Sequence, residues 1–324
     1  MMHLATQLVI TGVLRAEPLP AAQKPDPIHA IHQAQYSELT FAQVYNKYRS
    51  GDRPLIITGI PASQSPCFGA LGAYNDSLIL RHCRGNVWIS KMEDPAKRRK
   101  SSGRFGEVDI ARFLRAFAQD GEFEPLFAES LFLSNSCARL WYDVRIPAYF
   151  TGQLGDFHTE FYFSLKGYSQ SFHIDRKPAD LWIAMCRGRK RYRVVPRSVV
   201  WKILGRRVDP QLEAMLLRPA EWPLGLPIWE GVASAGDVIY LPAGAVHAVD
   251  TLDSAVSIVN DFLDVGNLGR ASRINAILSP GLGLFRMRKQ WVFDGKGVVF
   301  DPNSTARGFP SLREVAKFIM TFPK

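Results

Sequence analysis

The hydrophobic positions of the chain follow two different patterns in two regions. Towards the N-terminal end, apolar residues recur with helical spacing over residues 41–48 and again over 108–118. The first stretch is preceded by a capping box formed by Thr40 and Gln43. We therefore expect two amphipathic helices in this region, with a short buried strand at 55–58 between them.

The second pattern extends from about residue 126 to residue 265 and consists of short apolar runs separated by Gly, Pro and Asn. Many short strands with turns between them are typical of a β-sandwich or barrel. The predicted strands lie at 160–165, 181–186, 192–195, 238–241 and 255–260. Helical patterns return at 209–216 and at the chain end, where Ser311 and Glu314 form a second capping box. The predicted fold class is mainly β with flanking helices.

We expect three parts along the chain. Residues 1–35 have the composition of an N-terminal arm or linker, with four prolines between residues 18 and 27. Residues 36–265 form the main domain, whose metal-bearing core is the β-rich region, and residues 266–324 form a helical extension. The apolar stretch at 4–14 lacks a preceding positive charge, so targeting is not expected, and a cleaved organellar leader is the alternative.

Composition places the chain among globular proteins, with 47% hydrophobic and 22% charged residues over 324 positions. These values exclude disordered, collagen-like and coiled-coil chains, and no apolar run approaches the ~20 residues of a membrane span. The four cysteines form no CxxC pair, which argues against a zinc ribbon, a thioredoxin-like motif and a disulfide-dense scaffold. Sparse thiols suit a reducing compartment, so we expect an intracellular location, cytoplasm or nucleus.

The segment Ser-Phe-His-Ile-Asp at 171–175 carries the first candidate chemistry. In a strand, His173 and Asp175 project from the same side, because side chains alternate between the two faces. An imidazole beside a carboxylate supplies two of the three ligands of the two-His, one-carboxylate site of non-haem Fe(II) oxygenases. On its own the pair is weak evidence, since a single His more often has a structural role and an Asp after a strand is commonly a turn residue.

A third ligand is expected from the segment at 236–247. It has the pattern of a strand, a Pro/Gly turn and a return strand that opens with His247. The chain has only seven histidines, and His158 is the nearest rival for the same role. The joint occurrence of His173, Asp175 and His247 favours a metal site over three separate structural roles.

A densely cationic segment at 186–196 is predicted to form a hairpin turn and a strand. One inward-pointing Lys or Arg would hold the distal carboxylate of a dicarboxylate co-substrate, while most of these charges must face solvent. The chain as a whole carries 40 Lys and Arg against 30 Asp and Glu, a formal charge of +10 that favours anionic partners. A second basic run at 97–100 is more typical of a solvated loop than of a nucleic-acid site.

Together, these motifs resemble the Jumonji-C (JmjC) oxygenases, particularly the cupin-like hydroxylase branch related to asparaginyl and lysyl hydroxylases. The matching segments are Gly-Tyr-Ser-Gln-Ser-Phe-His-Ile-Asp ending at Asp175, Arg-Gly-Arg-Lys-Arg-Tyr-Arg-Val-Val-Pro ending at Pro196, Gly-Asp-Val-Ile-Tyr-Leu-Pro-Ala-Gly-Ala-Val-His ending at His247, and Ile-Val-Asn-Asp-Phe ending at Phe262. A weaker match, Arg-Pro-Leu-Ile-Ile-Thr-Gly, ends at Gly59, so the resemblance extends over about 36–265.

The resemblance implies a double-stranded β-helix (jelly-roll, cupin-like) core that binds Fe(II) through His173, Asp175 and His247. It also implies 2-oxoglutarate as co-substrate. Lys190 matches the lysine that binds the far carboxylate of 2-oxoglutarate, and Asn260 lies near a position where the family often places a polar pocket residue.

The sequence departs from the family pattern at Gln170, where a hydroxyl is common, and at Ile183, where relatives often carry Asn. As implied by the resemblance, we expect a 2-oxoglutarate-dependent dioxygenase that hydroxylates a protein or peptide side chain, or demethylates it if the attacked carbon is an N-methyl group. The alternatives are an RNA (tRNA)-modifying hydroxylase of the same fold, a histone demethylase, a small-molecule oxygenase, and a catalytically silent cupin-like binding module. No membrane partner is expected.

Overall fold

A computed structural model describes residues 28–91, 104–118, 126–132, 136–141, 143–150, 159–175, 179–195, 197, 227–264, 267, 291–293 and 298–300. The strands in these residues are β1 Ile28–Ala30, β2 His32–Gln35, β3 Leu55–Thr58, β4 Phe68–Gly69, β5 Gly72–Ala73, β6 Asn86–Lys91, β7 Arg104–Asp109, β8 Leu126–Phe132, β9 Thr159–Ser164, β10 Ser169–His173, β11 Asp180–Val195, β12 Ile228–Ser234, β13 Val238–Leu241, β14 Val246–Phe262, β15 Trp291–Phe293 and β16 Val298–Phe300. The helices are α1 Phe41–Gln43, which continues as a π-helix over Val44–Arg49, α2 Asp76–His82, α3 Ile110–Ala118 and α4 Ala138–Trp141.

In the described residues, twelve strands form one continuous sheet, and the two long strands β11 and β14 divide it into two halves, which are called the larger and the smaller sheet below. The first half of β11 pairs with β13 and with the end of β14, inside a larger sheet of order β2-β3-β13-β11-β14-β9-β8-β6-β7. The second half of β11 pairs with β12 and with the start of β14, inside a smaller sheet that also contains β1 and β10. Two sheets joined by shared, bending strands form the predicted jelly-roll.

The bend in β11 corrects one sequence prediction. The segment 186–196 was expected to contain a hairpin turn, but the chain continues as one strand whose pairing register shifts between Met185 and Lys190. Gly188 has a φ of 75°, and a Cβ at this position would lie 2.5 Å from the carbonyl oxygen of Ser254. A positive-φ glycine packed this closely is typical of a β-bulge, which bends a strand without reversing it.

The two faces of the larger sheet carry two separate hydrophobic clusters. The inner cluster combines residues of the larger sheet, such as Leu181 and Ile239, with residues of the smaller sheet, such as Tyr192 and Val194. It therefore fills the space between the two sheets. This arrangement confirms the predicted mainly β fold with a jelly-roll core.

The outer cluster covers the opposite face of the larger sheet. Phe161, Phe163 and Trp182 project from the sheet into this cluster, and Phe113 and Phe117 pack on them from α3. Burial of each such side chain contributes about 1.5–3 kcal/mol. The helix predicted at 108–118 is therefore confirmed, although residues 108 and 109 belong to β7.

The first predicted helix is also confirmed at its start. The side chain of Thr40 accepts from the backbone N–H of Gln43, and Gln43 accepts from the backbone N–H of Thr40 at 2.7 Å. The helix ends before Gly51, where a Cβ would lie 2.3 Å from the carbonyl oxygen of Lys47. The strand at 55–58 is β3, as predicted.

Both predicted flanking parts differ from the structure where it describes them. Residues 28–35 were assigned to a linker because of their polar composition, but β1 pairs with β12 and β2 pairs with β3. Within 266–324, β15 and β16 form an antiparallel pair instead of helix. The helices predicted at 209–216 and 311–319 lie outside the described residues, as does the basic run at 97–100.

The four cysteines form two disulfides, Cys67–Cys186 and Cys83–Cys137. The partners are separated by 119 and 54 positions in sequence, so no local spacing signalled them. This pairing corrects the interpretation of the cysteines as sparse thiols. Because disulfides are typical of oxidising compartments, a cytoplasmic or nuclear location stays a prediction that the state of these cysteines must test.

Candidate metal centre and co-substrate pocket

Two histidines from neighbouring strands face each other between the sheets. His173 is the last residue of β10, His247 is the second residue of β14, and the two are cross-strand partners. Cross-strand partners project from the same face, and the centroids of the two imidazole rings lie 4.2 Å apart. On its other side His247 pairs with Val194, a member of the inner cluster.

Asp175 completes a set of three candidate ligands from a position two residues beyond the end of β10. Its carboxylate oxygens lie 3.6 Å from Nε2 of His173 and 3.7 Å from Nε2 of His247. One ligand atom from each of the three residues lies within 4.8 Å of the other two. The structure thus brings together the three residues singled out from sequence, although the strand predicted to run through Asp175 ends at His173.

The surroundings of His247 favour its neutral imidazole. Its side chain is 7% exposed, and burial, together with the nearby His173, lowers the pKa of His247 to about 4. Its Nδ1 lies 3.2 Å from the carbonyl oxygen of Ala245. An Nδ1–H donated to that carbonyl leaves the lone pair on Nε2, which is the atom that faces Asp175.

The residues present fit a divalent metal ion. The carboxylate of Asp175 lies farther than hydrogen-bond length from both imidazoles, and one ligand atom of each of the three residues lies within 4.8 Å of the others. Two imidazoles and one carboxylate are the donor set of non-haem Fe(II) sites, and metal ligation requires imidazoles that are neutral, as His247 is.

Lys190 lies on the same inner face, further along β11. It alternates with Tyr192 and Val194, and Val194 is the cross-strand partner of His247. The Lys190 side chain is 4% exposed, and its Nζ lies 3.4 Å from Oγ of Ser257. Burial lowers the pKa of Lys190 to about 7. A bound anion would favour the protonated form of this buried amine, because a carboxylate beside it would accept a charge-assisted hydrogen bond.

Comparison with known families identifies the region that holds all four residues. Residues 147–263 match the family model described as the JmjC domain. This match covers about a third of the chain, and the matched region resembles a JmjC domain. Such domains generally use Fe(II) and 2-oxoglutarate and belong to the 2-oxoglutarate-dependent oxygenases, so the resemblance derived from the motifs is confirmed at the level of the family.

The chain is also similar to the arginine-specific demethylase JMJ22 of Arabidopsis thaliana. The two are 28% identical over 163 residues, which cover 45% of this chain and 31% of the relative. The chain therefore spans about a third of the length of the curated relative that it matches.

The structure does not place Asn260 beside Lys190. Asn260 is three positions from Ser257 in β14, so the alternation of side chains directs it to the other face of the sheet, with Ile258 and Phe262 of the outer cluster. Its Nδ2 donates to Oγ1 of Thr159 at 2.8 Å. The pocket role of Asn260 stays a prediction, and its position between β14 and β9 favours a structural role.

The two residues that depart from the family pattern both lie in strands of the matched region. Gln170 pairs with Val249 near the start of β10, and Ile183 belongs to the inner cluster. His158, the rival ligand, lies outside the described residues.

Three of the four arginines of the basic segment form ion pairs with carboxylates outside the pocket. Arg187 lies 3.0 Å from Asp76, Arg189 pairs with Asp253, and Arg193 lies 2.9 Å from Asp250. Lys190 points inward, as expected for one or two of these charges. Arg187, Arg189 and Arg193 form ion pairs at half-exposed or exposed positions.

Sequence reasoning missed Ser257 and the Ala245 carbonyl. Ser257 is 67 positions from Lys190, and only the pairing of two long strands brings them together. The Ala245 carbonyl carries no sequence signal, because every residue has one.

None of the helices in the part of the chain that the structure describes is long and apolar enough to span a membrane.

Proposed function

We propose that this chain is an Fe(II)- and 2-oxoglutarate-dependent oxygenase that hydroxylates a protein or peptide side chain. The observation that carries the proposal is the convergence of His173, Asp175 and His247 on one inner face that also holds the buried Lys190. A silent binding module of the same fold would need neither a converging ligand set nor a buried lysine on the same face.

His173, Asp175 and His247 would hold the iron, which when bound supplies the oxidation of 2-oxoglutarate by dioxygen. In the overall reaction one oxygen atom enters succinate, the second enters the substrate, and carbon dioxide is released. The protein residues orient the participants. His247 presents Nε2 because Ala245 accepts from its Nδ1, and Asp175 supplies the negative charge that a divalent ion requires.

Lys190 would bind the far carboxylate of 2-oxoglutarate, assisted by the hydroxyl of Ser257. Because the site is buried, the ion pair forms where water cannot compete, and the charge-assisted hydrogen bond is correspondingly strong. The same burial disfavours a protonated lysine in the absence of the anion, which makes the pocket selective for a dianion.

The substrate would approach from the side of His173 and Asp175. Their side chains are 35% and 41% exposed, against 7% for His247, so this part of the centre faces solvent. An exposed approach suits a side chain presented by a protein or peptide.

Demethylation of arginine is a second candidate, favoured by the similarity to an arginine-specific demethylase. The same oxidation of an N-methyl carbon would give an unstable hydroxymethyl group that leaves as formaldehyde. Hydroxylation and demethylation therefore need the same centre and differ only in the carbon presented to it.

RNA as substrate has less support from the described residues. The basic segment is one of the features that suggested RNA, together with the net charge. Arg187, Arg189 and Arg193 of this segment lie within reach of carboxylates, so its surface carries less excess charge than the sequence suggests.

The proposal is tested by succinate release from 2-oxoglutarate in the presence of Fe(II), screened over peptides containing asparagine, lysine, arginine and N-methylarginine. Mass spectrometry of the peptides separates the two candidates. Hydroxylation adds one oxygen atom, while demethylation removes a methyl group and yields formaldehyde. A defined tRNA pool serves as the comparison substrate.

The matched control pair is Lys190→Ala and Arg189→Ala, which remove neighbouring cations from the inner and outer faces of β11. We expect substrate-dependent succinate release to be lost in the first and kept in the second. Peptide modification that is equally fast in both variants would contradict the proposed pocket, and turnover on RNA alone would replace the proposed substrate.

A further inference from the structure

The turn before His247 is held on both sides of a single residue, Ala243. The backbone N–H of Ala243 donates to Oδ1 of Asp180 at 3.0 Å, and the carbonyl of Ala243 accepts from Nη1 of Arg197 at 3.5 Å. The turn is closed by the N–H of Ala245, which donates to the carbonyl of Pro242 at 3.1 Å. The carbonyl of Ala245, two residues after Ala243, is the partner of Nδ1 of His247.

Asp180 and Arg197, the two side chains that contact Ala243, are in turn bound by residues at the end of the first helix. Nε of Arg49 lies 3.4 Å from Oδ2 of Asp180, and Nη2 of Arg197 lies 3.7 Å from Oδ1 of Asp52. Arg49 also lies 2.6 Å from Asp264, which follows β14. The connection therefore extends from the first helix through Asp180 to the peptide of Ala243.

The backbone at this helix end has an uncommon conformation. Asp52 has a φ of 57°, and among the described residues it is the only one other than glycine with a positive φ. The preceding Gly51 has no space for a side chain, because a Cβ would lie 2.3 Å from the carbonyl oxygen of Lys47. Backbone strain of about 1–3 kcal/mol persists only where the surroundings impose it, and such positions concentrate at functional sites.

The burial of these charges is not explained by stability. Arg49 and Asp180 are 1% and 0% exposed, and Arg49 faces two carboxylates. Buried ion pairs of this kind are often no more stabilising than apolar residues of the same size, since removing charges from water costs several kcal/mol. The buried charges must therefore fix a geometry, which is that of the turn at 242–245.

We infer that Arg49 and Asp180 are positioning residues for His247: by holding the Ala243 peptide they set the turn whose Ala245 carbonyl orients the imidazole towards the metal. This inference rests on the proposed function, in that it takes His247 as a metal ligand. It assigns no contact with the metal to either residue. Outer partners of this kind typically change metal affinity by about 10–100-fold when removed.

The test compares Asp180→Ala with Asp264→Ala. Each substitution removes one buried carboxylate from Arg49, but only Asp180 contacts Ala243. The first readout is Mn(II) affinity, measured by electron paramagnetic resonance as a stand-in for Fe(II). The second is hydrogen–deuterium exchange of the peptide that contains Ala243.

For Asp180→Ala we expect Mn(II) binding weakened by about 10–100-fold and faster exchange at Ala243. For Asp264→Ala we expect near wild-type values of both, with a similar loss of thermal stability. Asp180→Asn keeps an oxygen for the Ala243 N–H and should restore most of the affinity. Equal Mn(II) affinity in Asp180→Ala and wild type would overturn the inference.

If Asp180→Ala does not fold, Arg49→Lys decides the question. Lysine keeps the buried positive charge, but a single ammonium cannot replace the fork that bridges Asp180 and Asp264. Weaker Mn(II) binding and faster exchange at Ala243 support the inference, and unchanged values overturn it. Absence of Mn(II) binding by the wild-type chain would contradict the proposed function. Hydrogen–deuterium exchange at Ala243 would still report whether Asp180 orders the turn.

Discussion

The two sides of the candidate metal centre are built differently. On the closed side, His247 is buried in β14 and its imidazole is neutral. The turn that precedes His247 is held by the carboxylate of Asp180. On the open side, His173 and Asp175 lie at and beyond the end of β10, each more than a third exposed. The three candidate ligands thus differ in how firmly the protein fixes them.

This difference indicates a division of roles. A ligand on a buried strand, with its second nitrogen already engaged, fixes where the ion sits. Ligands at a strand end leave room for the co-substrate and for a substrate side chain. The comparison therefore makes distinct predictions for stability and for binding on each side.

Removal of either histidine should have the largest effect. We expect His173→Ala and His247→Ala each to weaken Fe(II) binding by more than ~100-fold, the upper end for outer partners, since a direct ligand is lost. Only His247→Ala should also lower the free energy of unfolding of the metal-free protein, by about 1–3 kcal/mol, because it leaves a cavity in a buried site. Anaerobic Fe(II) titration and denaturant unfolding measure the two effects. One equivalent of Fe(II) bound at wild-type affinity by the double variant would refute the ligand set.

The disulfides should affect stability without affecting the metal centre. Cys67, Cys83 and Cys137 belong to the outer cluster, on the opposite face of the larger sheet from His247, and Cys186 packs against that cluster. We expect loss of one disulfide to lower the free energy of unfolding by about 2–4 kcal/mol and to leave metal affinity near wild type. Alkylation of the unfolded, unreduced protein should label no cysteine. Four reactive thiols in protein taken from its native compartment would instead support the cytoplasm or nucleus.

Lys190 should determine co-substrate affinity. We expect Lys190→Ala to weaken 2-oxoglutarate binding by about 10–100-fold, corresponding to loss of a charge-assisted hydrogen bond worth about 1.5–3 kcal/mol. Lys190→Arg should recover only part of the affinity, because the longer planar fork fits the space poorly. Calorimetry on the metal-loaded protein measures both, with Arg189→Ala as control. Normal 2-oxoglutarate binding by Lys190→Ala would contradict this role of Lys190.

The pH dependence of co-substrate binding should be the smallest effect. Burial lowers the pKa of Lys190 in the free protein to about 7, and only the protonated amine pairs with a carboxylate. Affinity for 2-oxoglutarate should therefore be highest below pH 7 and should fall as the pH rises through that value, by up to about tenfold per unit. Lys190→Arg should abolish this dependence, since arginine stays charged. An equally steep profile in Lys190→Arg would assign the titration to another group.

The convergence of the three candidate ligands was predictable from sequence because the signals there are local. The alternation that placed His173 beside Asp175 needs only three consecutive residues, and the Pro/Gly turn before His247 is readable in the same way. The capping box at Thr40 and the aromatic face of α3 were predictable for the same reason.

Features that depend on distant contacts could not be predicted. Arg49 lies 131 positions from Asp180 and 215 from Asp264, and nothing in either neighbourhood indicates the partner. The hairpin expected at 186–196 failed because a glycine signals both a turn and a bulge, and only the close approach of Ser254 to Gly188 decides between them. Residues 28–35 lack a strand pattern because as edge strands they are mostly exposed.

The most direct test of the central claim is whether 2-oxoglutarate binding depends on both the metal and Lys190. Anaerobic calorimetry would titrate 2-oxoglutarate into wild type with and without Fe(II), and into His247→Ala and Lys190→Ala with Fe(II). We expect one molecule bound per chain in wild type with Fe(II), and markedly weaker binding when the ion, His247 or the Lys190 amine is removed. Binding of equal affinity in all four samples, or none in any, would contradict the assignment of this inner face as an oxygenase site.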